Sequence, residues 1–318
     1  SRTIIHLFTT EVTRTTMLTK VINPQITAET RKVRVSPQME IFLKVLTGPR
    51  RSGRSAMYIH GGGGGGSNHT LIERPSRHLV NDGYFDRMLL PDRPGEGASS
   101  PMDHPMTIPE HAAVMRAMLD ELGEKGPITA MGVSYGGPIA LELASIDSRV
   151  ERVVLIASSP TLRQASGLAG FLARTGLLTM LMKKAVLSQI GKLPPEYPDL
   201  DPAYDARKQS DLVKIYTRAL QSTPVEYRDS LLFAQQATLD PTNASISGDY
   251  KLDVPVIQVI GEGDEVWGTE IPVEYQARFP NWRRYVVPSA KIHKDVFLKP
   301  DTYQSVISQA LGENLGTV

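Results

Sequence analysis

The stretch Ile128–Gly137, reading ITAMGVSYGG, restricts the chain's fold more than any other part of it. An apolar run from Ile128 to Val133 predicts a short buried strand. It breaks at Ser134 between glycines, and Pro138–Ser145 predicts a helix. Strand, sharp turn and helix around G-x-S-x-G force the serine into a strained backbone conformation that lifts its hydroxyl above the sheet edge. Gly132 and Gly136 leave out the Cβ atoms that would collide where strand and helix cross. A glycine-rich turn after any core strand would read the same way, so the rest of the chain decides between the two.

The other segments alternate strands with helices. Val33, Val35, Ile41, Leu43 and Val45 follow period two around Ser36-Pro37, which predicts an antiparallel hairpin. Short apolar strands are expected at 56–60, 88–90, 153–157, 254–260 and 284–287. Thr107-Ile-Pro-Glu110 opens a helix with a capping box and an early proline, and Gly123 ends it. Ala113, Val114, Ala117, Met118 and Leu122 are its expected apolar face. Further helices are expected at 271–279 and from about Val296 or Thr302 to Leu311. This rhythm predicts a parallel sheet with right-handed crossovers. Residues 1–31 read as a threonine-rich arm, with one short helix around Glu11–Val21. Between Ser158 and about Tyr250 helical patterns replace strands, in stretches 168–190, 211–220 and 224–237. Such an insertion reads as a lid over the strand ends.

A run of six glycines, Gly61–Gly66, follows the strand ending at His60. A flexible linker would be longer and flanked by polar sequence. A phosphate cradle would carry Lys-Ser/Thr or G-x-G-x-x-G. An oxyanion loop needs backbone N–H groups brought close to a carbonyl with no side chains between, and His60-Gly61-Gly62 directly after a strand favours that reading.

A serine hydroxyl needs a base to take its proton and a carboxylate to hold the base. His293 and Asp264 each lie just past the carboxyl end of an expected strand, where parallel sheets place their sites. The order Ser134, Asp264, His293 is that of nucleophile-elbow enzymes. Glu262 and Glu265 compete for the acid role. His60 is expected to anchor the glycine loop. His69 and His104 read as surface or hydrogen-bonded residues, and His6, His78 and His111 have no supporting motif. Trp267 is a candidate wall residue beside the acid.

Taken together these segments resemble the α/β-hydrolase fold family, in the branch shared by haloperoxidase-like esterases, epoxide hydrolases and proline iminopeptidases, with Ser134 at the elbow position where epoxide hydrolases and dehalogenases carry aspartate. The resemblance covers roughly residues 33–160 and 252–312. His60-Gly61-Gly62 is similar to the family's oxyanion loop. Asp92-Arg93-Pro94-Gly95 with Gly97 and Ser99 is similar to its D-x-x-G-x-G-x-S loop. Gly132–Gly137 matches the elbow, Gly261–Asp264 the acid loop, and His293 with Phe297 and Pro300 the histidine loop. The family pattern favours Asp264 over its glutamate neighbours. Some relatives carry the acid after the strand that follows the elbow, where this chain has Ser158-Ser159. Ile292 stands where the family usually has glycine, and Tyr135 where iminopeptidases favour tryptophan. The resemblance implies an α/β fold with a mostly parallel central sheet flanked by helices and a helical lid inserted after the sixth strand. Arm 1–31, core 32–158, lid 159–250 and core 251–318 are the expected units.

Composition narrows the function. With 35 Lys and Arg against 34 Asp and Glu, the net charge of +1 makes no case for nucleic acid or a charged membrane surface. Zero cysteines exclude disulfides, thiol catalysis and thiolate metal sites. No apolar run reaches the roughly 18 residues of a bilayer span, so a soluble protein is expected. The cytoplasm is the expected compartment, with secretion open if a signal peptide preceded the numbering. The expected activity is hydrolysis of an ester, thioester or lactone of a largely apolar small molecule by Ser134, His293 and Asp264. Backbone N–H groups of Gly62 and Tyr135 are the expected oxyanion donors, and Gly61 and Trp267 the expected substrate contacts. No metal and no organic cofactor is expected, and a homodimer is among the expected states. The same triad serves carbon–carbon bond hydrolysis, acyl transfer or amide cleavage, and a ligand receptor on a hydrolase scaffold is the rival of another class.

Overall fold

In the computed structural model, residues 26–49, 52–62, 68–162, 184, 187–193, 214, 217–240 and 244–315 are described. One eight-stranded sheet runs through them: β1 (Thr27–Ser36), β2 (Met39–Thr47), β3 (Ser55–Ile59), β4 (Arg87–Pro91), β5 (Ile128–Val133), β6 (Val150–Ile156), β7 (Val256–Gly261) and β8 (Trp282–Val287), in the order β1-β2-β4-β3-β5-β6-β7-β8. The β1–β2 hairpin and the β2–β4 pair are antiparallel. Every other neighbouring pair is parallel. β1 begins at Thr27, within the stretch read as an arm, and residues 1–25 lie outside the described residues.

The helices are α1 (Thr70–Asn81), α2 (Ile108–Glu121), α3 (Gly136–Ile146), α4 (Arg228–Leu239), the short α5 (Val273–Gln276) and α6 (Asp295–Leu298), and α7 (Pro300–Leu315). Central strands are buried on both faces, so they read as continuous apolar runs rather than alternating ones. Met57, Ile59 and Ala130 face a core shared with α2 and α3. Ala56, Tyr58, Met131 and Val133 face the opposite core, against Ile72 and Leu79 of α1 and Ile307 and Leu311 of α7.

The capping box of α2 is present: Glu110 N–H donates to the Thr107 hydroxyl at 3.4 Å, and Thr107 N–H to Glu110 Oε2 at 2.7 Å. Its buried face is Ile108, His111, Ala112, Met115, Met118 and Leu119. Of the expected stripe Met118 is buried and Val114 and Leu122 pack against the core, while Ala113 is exposed. Weakly apolar His111 and Ala112 hid the true i, i+3, i+4 row. The expected helix at 271–279 shrinks to the four residues of α5. Of the expected lid, most residues between 163 and 216 lie outside the described ones. Its described part includes α4, which packs Ala234 and Phe233 against Met102 and Met106.

The chain leaves β3 for β4 on one side and returns to β5 on the other. That reversal opens a crevice at the carboxyl ends of β3 and β5, the favoured site position in such sheets. His60–Gly62 and Ser134 are the residues it places there.

Candidate active site

Ser134 follows β5 with φ +52, left-handed backbone that a non-glycine residue adopts at a cost of about 1–3 kcal/mol. Three bonds hold it. Its N–H donates to Ile156 O at 3.0 Å, and its carbonyl accepts from Gly137 N–H at 2.9 Å and from the Ser158 hydroxyl at 2.6 Å. Gln258 fixes Ser158 in turn, its amide donating to Ser158 O at 2.9 Å. A Cβ on Gly132 would run into the Gly136 carbonyl, so the tight crossing requires glycine there.

From Ser134 a chain of contacts runs through the other two predicted residues. Ser134 Oγ and His293 Nε2 are 3.0 Å apart, and His293 Nδ1 and Asp264 Oδ2 2.9 Å apart. Asp264 is buried, and its other oxygen accepts the backbone N–H groups of Val266 and Trp267, each at 3.0 Å. The three residues, up to 159 positions apart in sequence, therefore share one hydrogen-bonded row. Trp267 also belongs to the row: its indole Nε1–H donates to Ser134 Oγ at 3.3 Å.

Glu262 and Glu265 hold the histidine loop by its backbone. Glu265 accepts His293 N–H at 2.8 Å, and Glu262 accepts Ser289 N–H and Lys291 Nζ, both at 2.6 Å. Asp295 adds a third clamp on Lys291 N–H at 2.7 Å. Ile292 needs no glycine: its φ lies outside the left-handed region, and its side chain is half-exposed.

Across the crevice, a Cβ built on Gly61 would lie 3.0 Å from Ser134 Cβ, so this loop runs hard against the serine. His60 is fully buried; Arg93 N–H donates to its Nε2 at 3.0 Å, and its Nδ1 lies 2.9 Å from Gly61 O. A backbone N–H can only donate, so Nε2 is the bare nitrogen and Nδ1–H donates to the carbonyl. Arg93 Nη2 donates to the same carbonyl at 3.0 Å. With Gly61 O turned to these donors, the planar trans peptide turns the Gly62 N–H the opposite way. Thr238 of α4 covers the loop: a Cβ on Gly62 would sit 2.6 Å from its Cγ2.

Tyr135, the N-cap of α3, is buried beneath the Arg93 guanidinium, 4.8 Å from the ring centroid, and edge-on to His111. Burial pushes its phenol up to about 12. His69, expected near the surface or hydrogen-bonded, is buried against Asp92, with Nδ1 2.8 Å from Oδ1. Burial alone would raise the Asp92 carboxyl, but the His69 imidazole and the Ala98 N–H outweigh it and hold it below the usual carboxylate range. His104 is exposed between Asp103 and Glu110.

Burial, reinforced by the Arg93 charge, drives the His60 imidazole down to about 3. Burial also lowers His111 well below its ordinary value. Below pH ~6.5 the unfolded chain takes up protons on these histidines that the folded chain refuses, so stability falls on acidification. For His60 the slope steepens from about half of 1.4 kcal/mol per pH unit at pH 6.5 toward about 1.4 near pH 5, and His111 acts in the same direction. Urea midpoints across that range measure it, and a flat profile would contradict the two buried neutral imidazoles.

Sequence reasoning missed Ser158, the glutamate clamps on the histidine loop and the Trp267–Ser134 bond. The Glu262 and Glu265 positions, flanking Asp264, were the available signal. Among the described residues no group of three or more His, Asp or Glu side chains could hold a metal ion, and no helix is long and apolar enough to cross a membrane.

Solved structures share the architecture. The epoxide hydrolase CorEH superposes with TM-score 0.64 at 17% identity, over 91% of this chain and 100% of that one. An esterase from Thermogutta terrifontis gives 0.60 at 19%, over 90% and 98%. The carboxylesterase CesB from Bacillus subtilis gives 0.59 at 18%, over 90% and 92%. At such identities the likeness is one of fold. Residues 57–303 also match the sequence profile of the alpha/beta hydrolase family, and that span, most of the chain, makes it a member of this family.

Proposed function

We propose that the protein is a serine hydrolase that cleaves an ester, thioester or lactone of a largely apolar small molecule through an acyl-enzyme. The observation that carries this reading is the row Asp264–His293–Ser134, joined at 2.9 and 3.0 Å with the serine at φ +52. Asp264, an acceptor, fixes the proton of His293 on Nδ1 and leaves the Nε2 lone pair facing the Ser134 hydroxyl. Ser134 Oγ attacks the carbonyl carbon as its proton passes to Nε2. That proton then goes to the leaving oxygen or sulfur as its bond to carbon breaks. Water repeats the sequence on the acyl-enzyme, and Oγ recovers its proton.

The developing oxyanion needs donors already in place, each typically worth ~3–4 kcal/mol. Gly62 N–H, aimed by the anchored Gly61 carbonyl, is one. Tyr135 N–H, at the positive end of α3, is the other. Gly61, with no side chain against Ser134, leaves room for the acyl group.

Steady-state assays on p-nitrophenyl acetate, butyrate and octanoate, a γ-lactone, an acyl thioester and a prolyl amide test the reading. Multiple turnover on an oxygen or thio ester, with amide cleavage at least 10²-fold slower, is the expected result. Turnover confined to the prolyl amide would replace the ester reading. A single stoichiometric turnover on every compound would point to a receptor instead.

A further inference from the structure

Among the described residues Ser134 Oγ has two partners, and only one of them belongs to the expected machinery. His293 Nε2 lies at 3.0 Å, and the indole Nε1 of Trp267 at 3.3 Å. An indole nitrogen carries a hydrogen and no free lone pair, so Trp267 donates and the serine oxygen accepts. The side chain is only 4% exposed, which keeps water from competing for that N–H. Its backbone is fixed as well, since Trp267 N–H donates to Asp264 Oδ1 at 3.0 Å. One residue therefore ties the acid carboxylate to the nucleophilic oxygen.

We propose that Trp267 is a further catalytic residue, whose indole N–H stabilises the negative charge that builds on Ser134 Oγ. The proposal rests on the serine-hydrolase reading and deepens it. In the resting hydroxyl the bond joins two neutral groups. As the proton moves to His293 Nε2, Oγ gains negative charge and the bond becomes charge-assisted, roughly twice as strong. An interaction that strengthens on the way to the transition state accelerates the step rather than only tightening the ground state. The same bond serves deacylation. There the carbon–Oγ bond breaks, Oγ leaves with the electron pair, and it takes back from His293 the proton that water gave up. Both halves of the cycle thus place partial negative charge on Oγ in the transition state, where it faces the indole. A residue that only walls the pocket would make neither contribution.

Trp267→Phe keeps most of the ring and removes the donor. The expected result is a 10- to 50-fold lower rate of inactivation by a fluorophosphonate, and an equal fall in kcat on p-nitrophenyl butyrate with KM nearly unchanged. The chain has two tryptophans, so its ¹H–¹⁵N spectrum carries two indole signals. Trp267→Phe identifies the Trp267 signal. Ser134→Ala, which removes the acceptor, should move that signal by several tenths of a ppm in the proton dimension and leave the Trp282 signal in place. Trp267→Phe reacting at the wild-type rate, or a Trp267 signal that ignores Ser134→Ala, overturns the proposal while the serine-hydrolase reading stands. A wild type that never reacts with the fluorophosphonate overturns that reading and the proposal with it. The spectra of wild type and Ser134→Ala can still overturn the proposal if the phenylalanine variant folds poorly, because signal identity then follows from Trp282→Phe.

Discussion

Ser134→Ala lowers kcat by about 10⁴–10⁶-fold on whichever ester the wild type turns over fastest, with KM changed by less than about fivefold. The size of the loss follows from the row of contacts. Without Oγ, His293 has no proton to take and no covalent intermediate forms. On the proposed mechanism what would remain is direct attack by water at a carbonyl polarised by the Gly62 and Tyr135 N–H groups. The fold should survive the change. Ser134 is 8% exposed, and the bonds that hold its strained backbone come from its own N–H and carbonyl. Alanine keeps both. Steady-state kinetics beside a circular dichroism spectrum check the prediction, and a loss smaller than tenfold would contradict it.

Asp264→Asn lowers kcat by about 10⁴-fold for a different reason. The amide oxygen can still accept the Val266 and Trp267 N–H groups that now reach Oδ1 at 3.0 Å. Its NH₂ then faces His293 Nδ1 as a donor. The imidazole must place its lone pair on Nδ1 and its proton on Nε2, so the nitrogen facing Ser134 can no longer act as a base. The geometry stays and the tautomer is wrong. Glu262 and Glu265 cannot stand in, because both accept backbone N–H groups of the histidine loop. Activity within tenfold of the wild type would show that another carboxylate orients His293.

The parts of this fold that were legible in the sequence are those decided locally. The β5–Ser134–α3 turn, the α2 capping box and the β1–β2 hairpin each carry their own chemistry within a dozen residues, and each is present. Chain order and strand ends made Asp264 and His293 candidates, and the family resemblance favoured Asp264 over Glu262 and Glu265. The rest depended on partners distant in sequence. Helix α1 carries Pro75 in its interior and follows the glycine run, so its local pattern argues against a helix. It is held by tertiary contacts: Ile72, Leu79 and Val80 enter the core, and Glu73 meets Lys44 of β2 at 2.7 Å in a buried ion pair. The expected helix at 271–279 failed at its start, where Pro272 serves as the N-cap of only four helical residues. The Trp267–Ser134 bond spans 133 residues, and no periodicity or spacing encodes it. Ser158 was visible only as a place without a carboxylate, though its hydroxyl is what braces the strained elbow.

An activated Ser134 is the claim on which the account depends, and intact mass after fluorophosphonate treatment of wild type and Ser134→Ala tests it most directly. The account predicts a single adduct on the wild type and none on the variant. Adducts on both proteins, or on neither, would contradict it.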